Sequence, residues 1–179
     1  MKKQIRTRPL ITGDKIGIQL LIRDAFSGYP WYQDYLQDDL DNLWKVATAR
    51  PGFKGIVALD ENNTITGASW WYLPTDTSIR GETLSKFIRH TKGDRVLVWE
   101  DAILVLRKSQ GLGVGSVLRN MFIVSVKNTH KQALIISRIR DDNVPSILLA
   151  ERIGFKRTGA KFKESKHPHV SQEYWYLLL

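Results

Sequence analysis

The chain has 179 residues, enough for one domain with a real core, and it has no cysteine, which excludes disulfides and a cysteine thiolate of its own. Hydrophobic residues make up 42% and charged residues 25%, as in soluble globular proteins, and no apolar run reaches membrane-spanning length. Lys and Arg number 27 against 18 Asp and Glu, and the resulting charge of +9 favours anionic partners.

Lys2 and Lys3 are followed by no signal-like apolar core, and Leu20-Leu21-Ile22 is cut short by Arg23 and Asp24. No signal peptide is expected, and the cytoplasm is the expected compartment. Ile5 to Leu10 reads as an opening strand. Thr12-Gly13-Asp14 offers caps for a helix whose inward face is Ile18, Leu21, Ile22, Ala25 and Phe26, and Gly28-Tyr29-Pro30 stops it. A second helix fits Tyr35 to Ala49, with Leu36, Leu40, Leu43, Trp44 and Ala47 inward, before Arg50-Pro51-Gly52. Phe53 to Leu59 and Thr64 to Leu73 form an expected hairpin across Asp60-Glu61-Asn62-Asn63. A short helix fits Thr83 to Thr91.

Val96 to Leu106 reads as a buried strand, and Gln110-Gly111-Leu112-Gly113-Val114-Gly115-Ser116 follows it. The next helix has Val117, Leu118, Met121, Phe122 and Ser125 on one face. Ala133 to Ser137 is a short buried strand. Asn143 suits the N-cap of a helix with Pro145 in its first turn, and Gly154 suits its C-terminal end. Phe155 to Phe162 and Glu173 to Leu179 are the closing strands. No repeat or low-complexity linker divides the chain, so residues 1–179 are expected to form a single α/β domain around a mixed sheet.

A strand, a glycine turn and a helix N-terminus make an anion site, because backbone N–H groups converge there and the helix dipole adds partial positive charge. The turn lacks the Gly-Lys-Ser/Thr of a Walker A loop. Its spacing, G-x-G-x-G beyond the middle of the chain, does not fit a dinucleotide fingerprint.

At this point the sequence resembles the GCN5-related N-acetyltransferase (GNAT) family. Gln110, Gly113 and Gly115 match its signature of Gln or Arg, two residues, Gly, one residue, then Gly or Ala. Val105 stands five positions before the turn. A second block, Asp142-Asn143-Val144-Pro145-Ser146-Ile147 with Glu151-Arg152-Ile153-Gly154-Phe155, is similar to the family's later block. The resemblance implies the GNAT fold: one domain, a central mixed, mostly antiparallel sheet of about six to seven strands, and flanking helices. It implies acetyl-CoA as acyl donor and a primary amine, on a small molecule or peptide, as acceptor. Gln110, Gly111, Leu112, Gly113, Val114, Gly115 and Ser116 would hold the pyrophosphate. The backbone of Leu104 and Val105 would meet the pantetheine arm and thioester, and Asn143 would contact that arm if it is more than an N-cap.

In such a transfer a neutral amine attacks the thioester carbonyl, an oxyanion develops and a thiolate leaves. The N–H near Val105 or Leu106 is the implied oxyanion donor. Glu100 and Asp101 are the candidates for base or water relay, because a carboxylate inside an apolar strand needs a reason. Strand alternation sends them to opposite faces, and the choice between them stays open, as does pairing with a neighbouring Arg. Where the family often has a tyrosine acid, this chain has Ala150. Tyr72, Tyr174 and Tyr176 are the possible substitutes. Lys108 or Arg119 would meet cofactor phosphates, with solvated surface charge as the plain alternative.

The resemblance puts the acceptor against the first two helices and the final hairpin. That singles out Tyr29, Trp31, Tyr32 and Tyr35, then Asp38, Asp39 and Asp41, with Trp70, Trp71 and Tyr72. Aromatics with carboxylates suit a cationic amine, but core packing and helix first-turn charge explain them equally. His90, His130, His167 and His169 are too scattered for a metal site, so none is expected. Two other readings stay open: a non-catalytic acetyl-CoA sensor, motivated by Ala150, and a basic nucleic-acid-binding module, which the dispersed Lys and Arg disfavour. No membrane partner is expected, and a homodimer stays open.

Overall fold

Among the described residues, seven strands join into one sheet in the order β1-β2-β3-β4-β5-β7-β6. The structure is a computed structural model, and it describes residues 5–28, 30–75, 81–163 and 171–179. The strands are β1 (Arg6–Pro9), β2 (Lys54–Leu59), β3 (Ile65–Tyr72), β4 (Val96–Val105), β5 (Ala133–Arg140), β6 (Lys156–Lys163) and β7 (Ser171–Leu178). The helices are α1 (Lys15–Phe26), α2 (Gln37–Thr48), α3 (Glu82–Lys92), α4 (Val114–Thr129) and α5 (Val144–Ile153). The β1–β2, β2–β3, β5–β7 and β6–β7 pairs are antiparallel, and β4–β5 is parallel. This is the expected α/β fold class with a mixed, mostly antiparallel sheet. Tyr29, His167 and His169 lie outside the described residues.

The chain divides into two compact units, Met1–Tyr72 with Ala102–Ser125, and Leu73–Asp101 with Val126–Leu179. In the first, Ile18, Leu21 and Ile22 of α1 and Leu40 of α2 bury against Val57, Leu59, Ala68, Trp70 and Leu104 of the strands. Burying a side chain of this size contributes about 1.5–3 kcal/mol. In the second, Leu84 and Ile88 of α3 pack with Leu97, Leu134, Ile136, Ala160 and Tyr174.

The β2–β3 turn forms for a local reason. The Asp60 carboxylate accepts the N–H groups of Asn62 and Thr64, both at 2.9 Å, and Asn63 takes a left-handed φ of 61°. Asn tolerates that conformation better than most residues. Asn143 caps α5 as expected, its side chain accepting the Ser146 N–H at 3.3 Å. Gly154 ends α5 at φ 98°.

Three sequence expectations are corrected. The second helix starts at Gln37, because Leu36 is extended and its N–H donates to the Asp39 carboxylate at 3.1 Å. Leu36 is therefore exposed ahead of the helix, Leu43 is exposed within it, and Leu40 is the buried anchor of α2 with Trp44 packed beside it. On α4 the buried row is Val114, Leu118 and Phe122, flanked by Arg119, Ile123 and Val126, while Met121 is exposed. The strand expected to end at Ser137 continues to Arg140, because Arg138, Ile139 and Arg140 keep their register opposite Tyr174, Glu173 and Gln172 of β7. A ladder with a neighbour outweighs the polar side chains that suggested an end.

Candidate active site

β4 ends at Val105, and Leu106 turns out of the strand at φ −49°, ψ 136°. The Leu106 N–H donates to the Thr66 carbonyl at 2.9 Å, and a turn of 3-10 helix follows over Arg107–Ser109. Gln110 is extended, and its side-chain amide donates to the Val105 carbonyl at 3.4 Å. Gly111 and Gly113 then take φ values of 75° and 87°, a region that costs an ordinary L-residue roughly 1–2 kcal/mol. A Cβ on either glycine would meet nothing within 4 Å. Conformation, then, requires glycine here, and the space beside both backbones is open to a ligand.

α4 begins at Val114, and the Val117 N–H donates to the Gly113 carbonyl. The earlier N–H groups of Val114, Gly115 and Ser116 have no carbonyl four residues back within the helix, as in any helix first turn. They point out of the positive end of a 16-residue helix. A polyphosphate suits that arrangement: an open glycine cradle, successive donors, and no acidic residue in the first turn.

The seating of α4 depends on Gly67 in β3. A Cβ there would lie 2.8 Å from Val114 Cγ1, 2.9 Å from Leu118 Cδ1 and 2.9 Å from the Leu104 carbonyl oxygen. Glycine at this position lets the first turns of the helix close on the strand.

In the second unit, Glu100 is 3% exposed and sits opposite Ser137 of β5, while Asp101 is half-buried. The β4–β5 register runs from Val96–Ala133 to Glu100–Ser137. Ala150 is fully buried within α5, so no tyrosine side chain stands at that point. Tyr174, in the core, packs edge-on to Trp99 at 5.8 Å, and the partly buried Tyr176 lies 4.8 Å from Phe87 against the same core. In the first unit, Tyr72 lies under the Arg50 guanidinium at 4.3 Å. Arg119, read as surface charge or phosphate ligand, is buried in α4, while Lys108 is exposed. Among the described residues, no group of three His, Asp or Glu side chains is placed to hold a metal ion.

The aromatic and acidic residues of the first two helices divide by role. Trp31 and Tyr35 pack edge-on to Phe26 at 4.9 and 5.6 Å. Trp70 belongs to the core, and Trp71 packs against Phe122 at 4.8 Å. Asp39 caps α2, and Asp41 binds Lys15 at 2.6 Å and Gln19 at 3.0 Å. The Lys15 ammonium, with the amides of Gln19 and Gln37, holds the Asp41 carboxyl below the usual carboxylate range. Asp38 and Tyr32 remain on the surface, Tyr32 73% exposed and at a left-handed φ of 47°.

No family model matches the sequence, and no curated protein sequence matches it. Solved structures do match over nearly the full chain. A GCN5-related N-acetyltransferase from Kribbella flavida superposes with a TM-score of 0.70 at 18% identity, covering 98% of each chain. Arabidopsis thaliana NAA60, solved with acetyl-CoA, gives 0.72 at 16% identity, covering 98% of this chain and 99% of its own. A GNAT phosphinothricin acetyltransferase from Sinorhizobium meliloti, also solved with acetyl-CoA, gives 0.68 at 20% identity over 100% of this chain and 89% of its own. With the strand order and the β4–α4 glycine turn, these matches show that the chain has the GNAT N-acetyltransferase fold.

Proposed function

We propose that the chain is an acetyl-CoA-dependent N-acetyltransferase acting on a primary amine of a small molecule or peptide. The observation that carries this reading is the β4–α4 turn. Gly111 and Gly113 are both left-handed, with open space where a side chain would stand, ahead of the N-terminus of α4. Two structures of the same fold were solved with acetyl-CoA, which supports the same cofactor here. The donors of Gln110, Gly111, Leu112, Gly113, Val114, Gly115 and Ser116 would bind the pyrophosphate, and the backbone of Leu104 and Val105 would pair with the pantetheine arm.

Acetyl-CoA supplies an acyl group activated as a thioester. The chain's own residues must position the amine, take its proton and offer an N–H to the carbonyl oxygen. Asp101 is the favoured base, directly or through one water, because its half-buried carboxylate can pass a proton to solvent. The buried Glu100 is the alternative on the same strand. The N–H of Val105 or Leu106 is the remaining question for the oxyanion, and the Leu106 N–H already donates to Thr66, which favours Val105. Asn143 caps α5 through its side-chain oxygen, and it would also contact the pantetheine arm.

Calorimetry with acetyl-CoA tests the placement: Gly113→Glu adds bulk and negative charge in the cradle and should abolish binding. Binding equal to wild type in that variant would place the cofactor elsewhere. Thiol release against a panel of polyamines, aminoglycosides, amino acids and peptide N-termini tests catalysis. Asp101→Asn should slow it by about 10²–10⁴-fold, as for loss of a general base. The fully buried Ala150 favours a second reading, a non-catalytic acetyl-CoA sensor. That reading requires cofactor-dependent stabilisation with no thiol release for any amine.

A further inference from the structure

Asp24, in the last turn of α1, and Gly28, just beyond it, take no part in the chemistry above. Both are nevertheless committed to the segment that leads from β4 into the glycine turn. The Asp24 carboxylate accepts the backbone N–H of Arg107 at 2.7 Å, across 83 residues of sequence. A carboxylate accepting a backbone N–H is a charge-assisted bond, about twice as strong as a neutral one. One residue earlier, the Leu106 N–H is held by the Thr66 carbonyl. Two successive N–H groups are thus gripped by two different elements, α1 and β3. Ser109 and Gln110 then donate back to Leu106 and Arg107 within the segment itself.

Gly28 receives the side chain of the same residue. It is buried, and a Cβ there would stand 3.1 Å from both Cζ and Nε of Arg107. Its φ lies outside the left-handed region, and a methyl there would press on the tip of the exposed Arg107 side chain. Backbone and side chain of Arg107 therefore both lie against the C-terminal end of α1, at Asp24 and at Gly28 just beyond the helix. The Gly28 carbonyl in addition accepts the N–H groups of Trp31 at 2.8 Å and Tyr32 at 2.9 Å, which organises the segment that follows.

We propose that Asp24 and Gly28 are positioning residues for the cofactor turn, holding Leu106–Ser109 so that the donors of Gln110–Ser116 stay converged. The inference rests on the cofactor reading above. It assigns to α1 a role in cofactor affinity that its sequence does not advertise, since an acidic side chain near an anion site would by charge alone weaken binding. Asp24 strengthens binding because its bond to the Arg107 N–H fixes the backbone on which the turn is built.

The test measures acetyl-CoA affinity by calorimetry, with hydrogen exchange at the Arg107 amide, in wild type and four variants. Asp24→Ala should weaken binding about tenfold, the size expected for losing one charge-assisted bond, and should expose the Arg107 amide to exchange. Asp24→Asn keeps an oxygen acceptor and should stay within about threefold of wild type. Gly28→Ala should weaken binding by pushing the Arg107 side chain off its seat. Adding Arg107→Ala to Gly28→Ala removes the collision and should restore affinity, a rescue that general destabilisation would not give. Asp24→Ala with wild-type affinity, or with an unchanged Arg107 amide, overturns the inference while leaving the cofactor reading standing. Wild-type protein that binds no acetyl-CoA overturns the cofactor reading, and this inference with it.

Discussion

Gly67→Ala is the sharpest test of how the turn is positioned, because the added atom has nowhere to go. Its Cβ would stand 2.8 Å from Val114 Cγ1 and 2.9 Å from both Leu118 Cδ1 and the Leu104 carbonyl oxygen. The carbonyl is backbone and cannot rotate aside. For Val114 to reach even 3.4 Å, the near edge of ordinary contact, the first turn of α4 must retreat by about 0.6 Å. Overpacking of this kind costs about 1–3 kcal/mol. For a chain of this length that is a fall in melting temperature of roughly 2–12 °C. The same retreat carries the N–H groups of Val114, Gly115 and Ser116 away from the cradle, so acetyl-CoA affinity should fall as well, by about tenfold for one weakened charge-assisted bond. Thermal melts followed by circular dichroism give the first quantity and calorimetry gives the second. Val114→Ala in the Gly67→Ala background removes the nearest atom and should recover part of the affinity. A Gly67→Ala protein that melts and binds like wild type would refute the claim that this contact seats the helix.

Other expectations follow from single contacts. Gly111→Ala meets no neighbour, so it should cost about 1–2 kcal/mol from the left-handed backbone alone, read as a shift in urea midpoint without a change in slope. Asn143→Ala should cost about 1 kcal/mol as a lost N-cap. An affinity for acetyl-CoA within threefold of wild type in that variant would confine Asn143 to capping. The Arg8 guanidinium, bonded to Asp14 through two nitrogens at 2.7 Å, holds the Asp14 carboxyl below the usual carboxylate range, helped by the Ile11 N–H. The folded value lies below the unfolded one, so this stabilisation is present above the ordinary carboxylate pKa and is lost as pH falls through the lowered folded value. Asp14→Asn should therefore lower stability at neutral pH by about 1 kcal/mol, allowing for the partly exposed Arg8, and flatten the acid arm of a stability–pH curve below about pH 4. An acid arm unchanged by the substitution would remove Asp14 from the account.

What the sequence disclosed and what it hid divide along chain separation. The glycine turn, the Asp60–Asn63 hairpin and the Asn143–Gly154 helix were legible because each is built by residues a few positions apart. Helix faces were partly legible: Leu118 and Phe122 are buried as expected, as is Leu40, but Leu36 falls outside α2 and Leu43 is exposed within it. The aromatic group near the first two helices suited a binding surface or core packing equally, and the structure shows packing contacts for part of it, with Trp70 in the core and Trp31 and Tyr35 against Phe26. Burial of a polar side chain left no mark in the pattern, so Arg119 read as surface charge. The distant contacts of Gly28, Gly67 and Asp24 went unread because their partners lie tens of residues away, and no periodicity encodes a close approach between distant segments.

The position of β7 has a consequence for how the second unit forms. β7 follows β6 in the chain, yet it lies between β5 and β6 in the sheet. Until Ser171–Leu178 has been synthesised, β5 has no partner on that side and β6 has no strand to join. Leu134, Ile136 and Ala160 can therefore begin to collect, but the core that includes Tyr174 closes only when the later strand is inserted. Insertion of a strand between two earlier ones depends on non-local pairing, which slows folding and prolongs exposure of apolar edges. During translation the first unit's Met1–Tyr72 segment emerges well before β7 does. The nascent chain should thus expose the β5 edge to chaperones until Ser171–Leu178 leaves the ribosome.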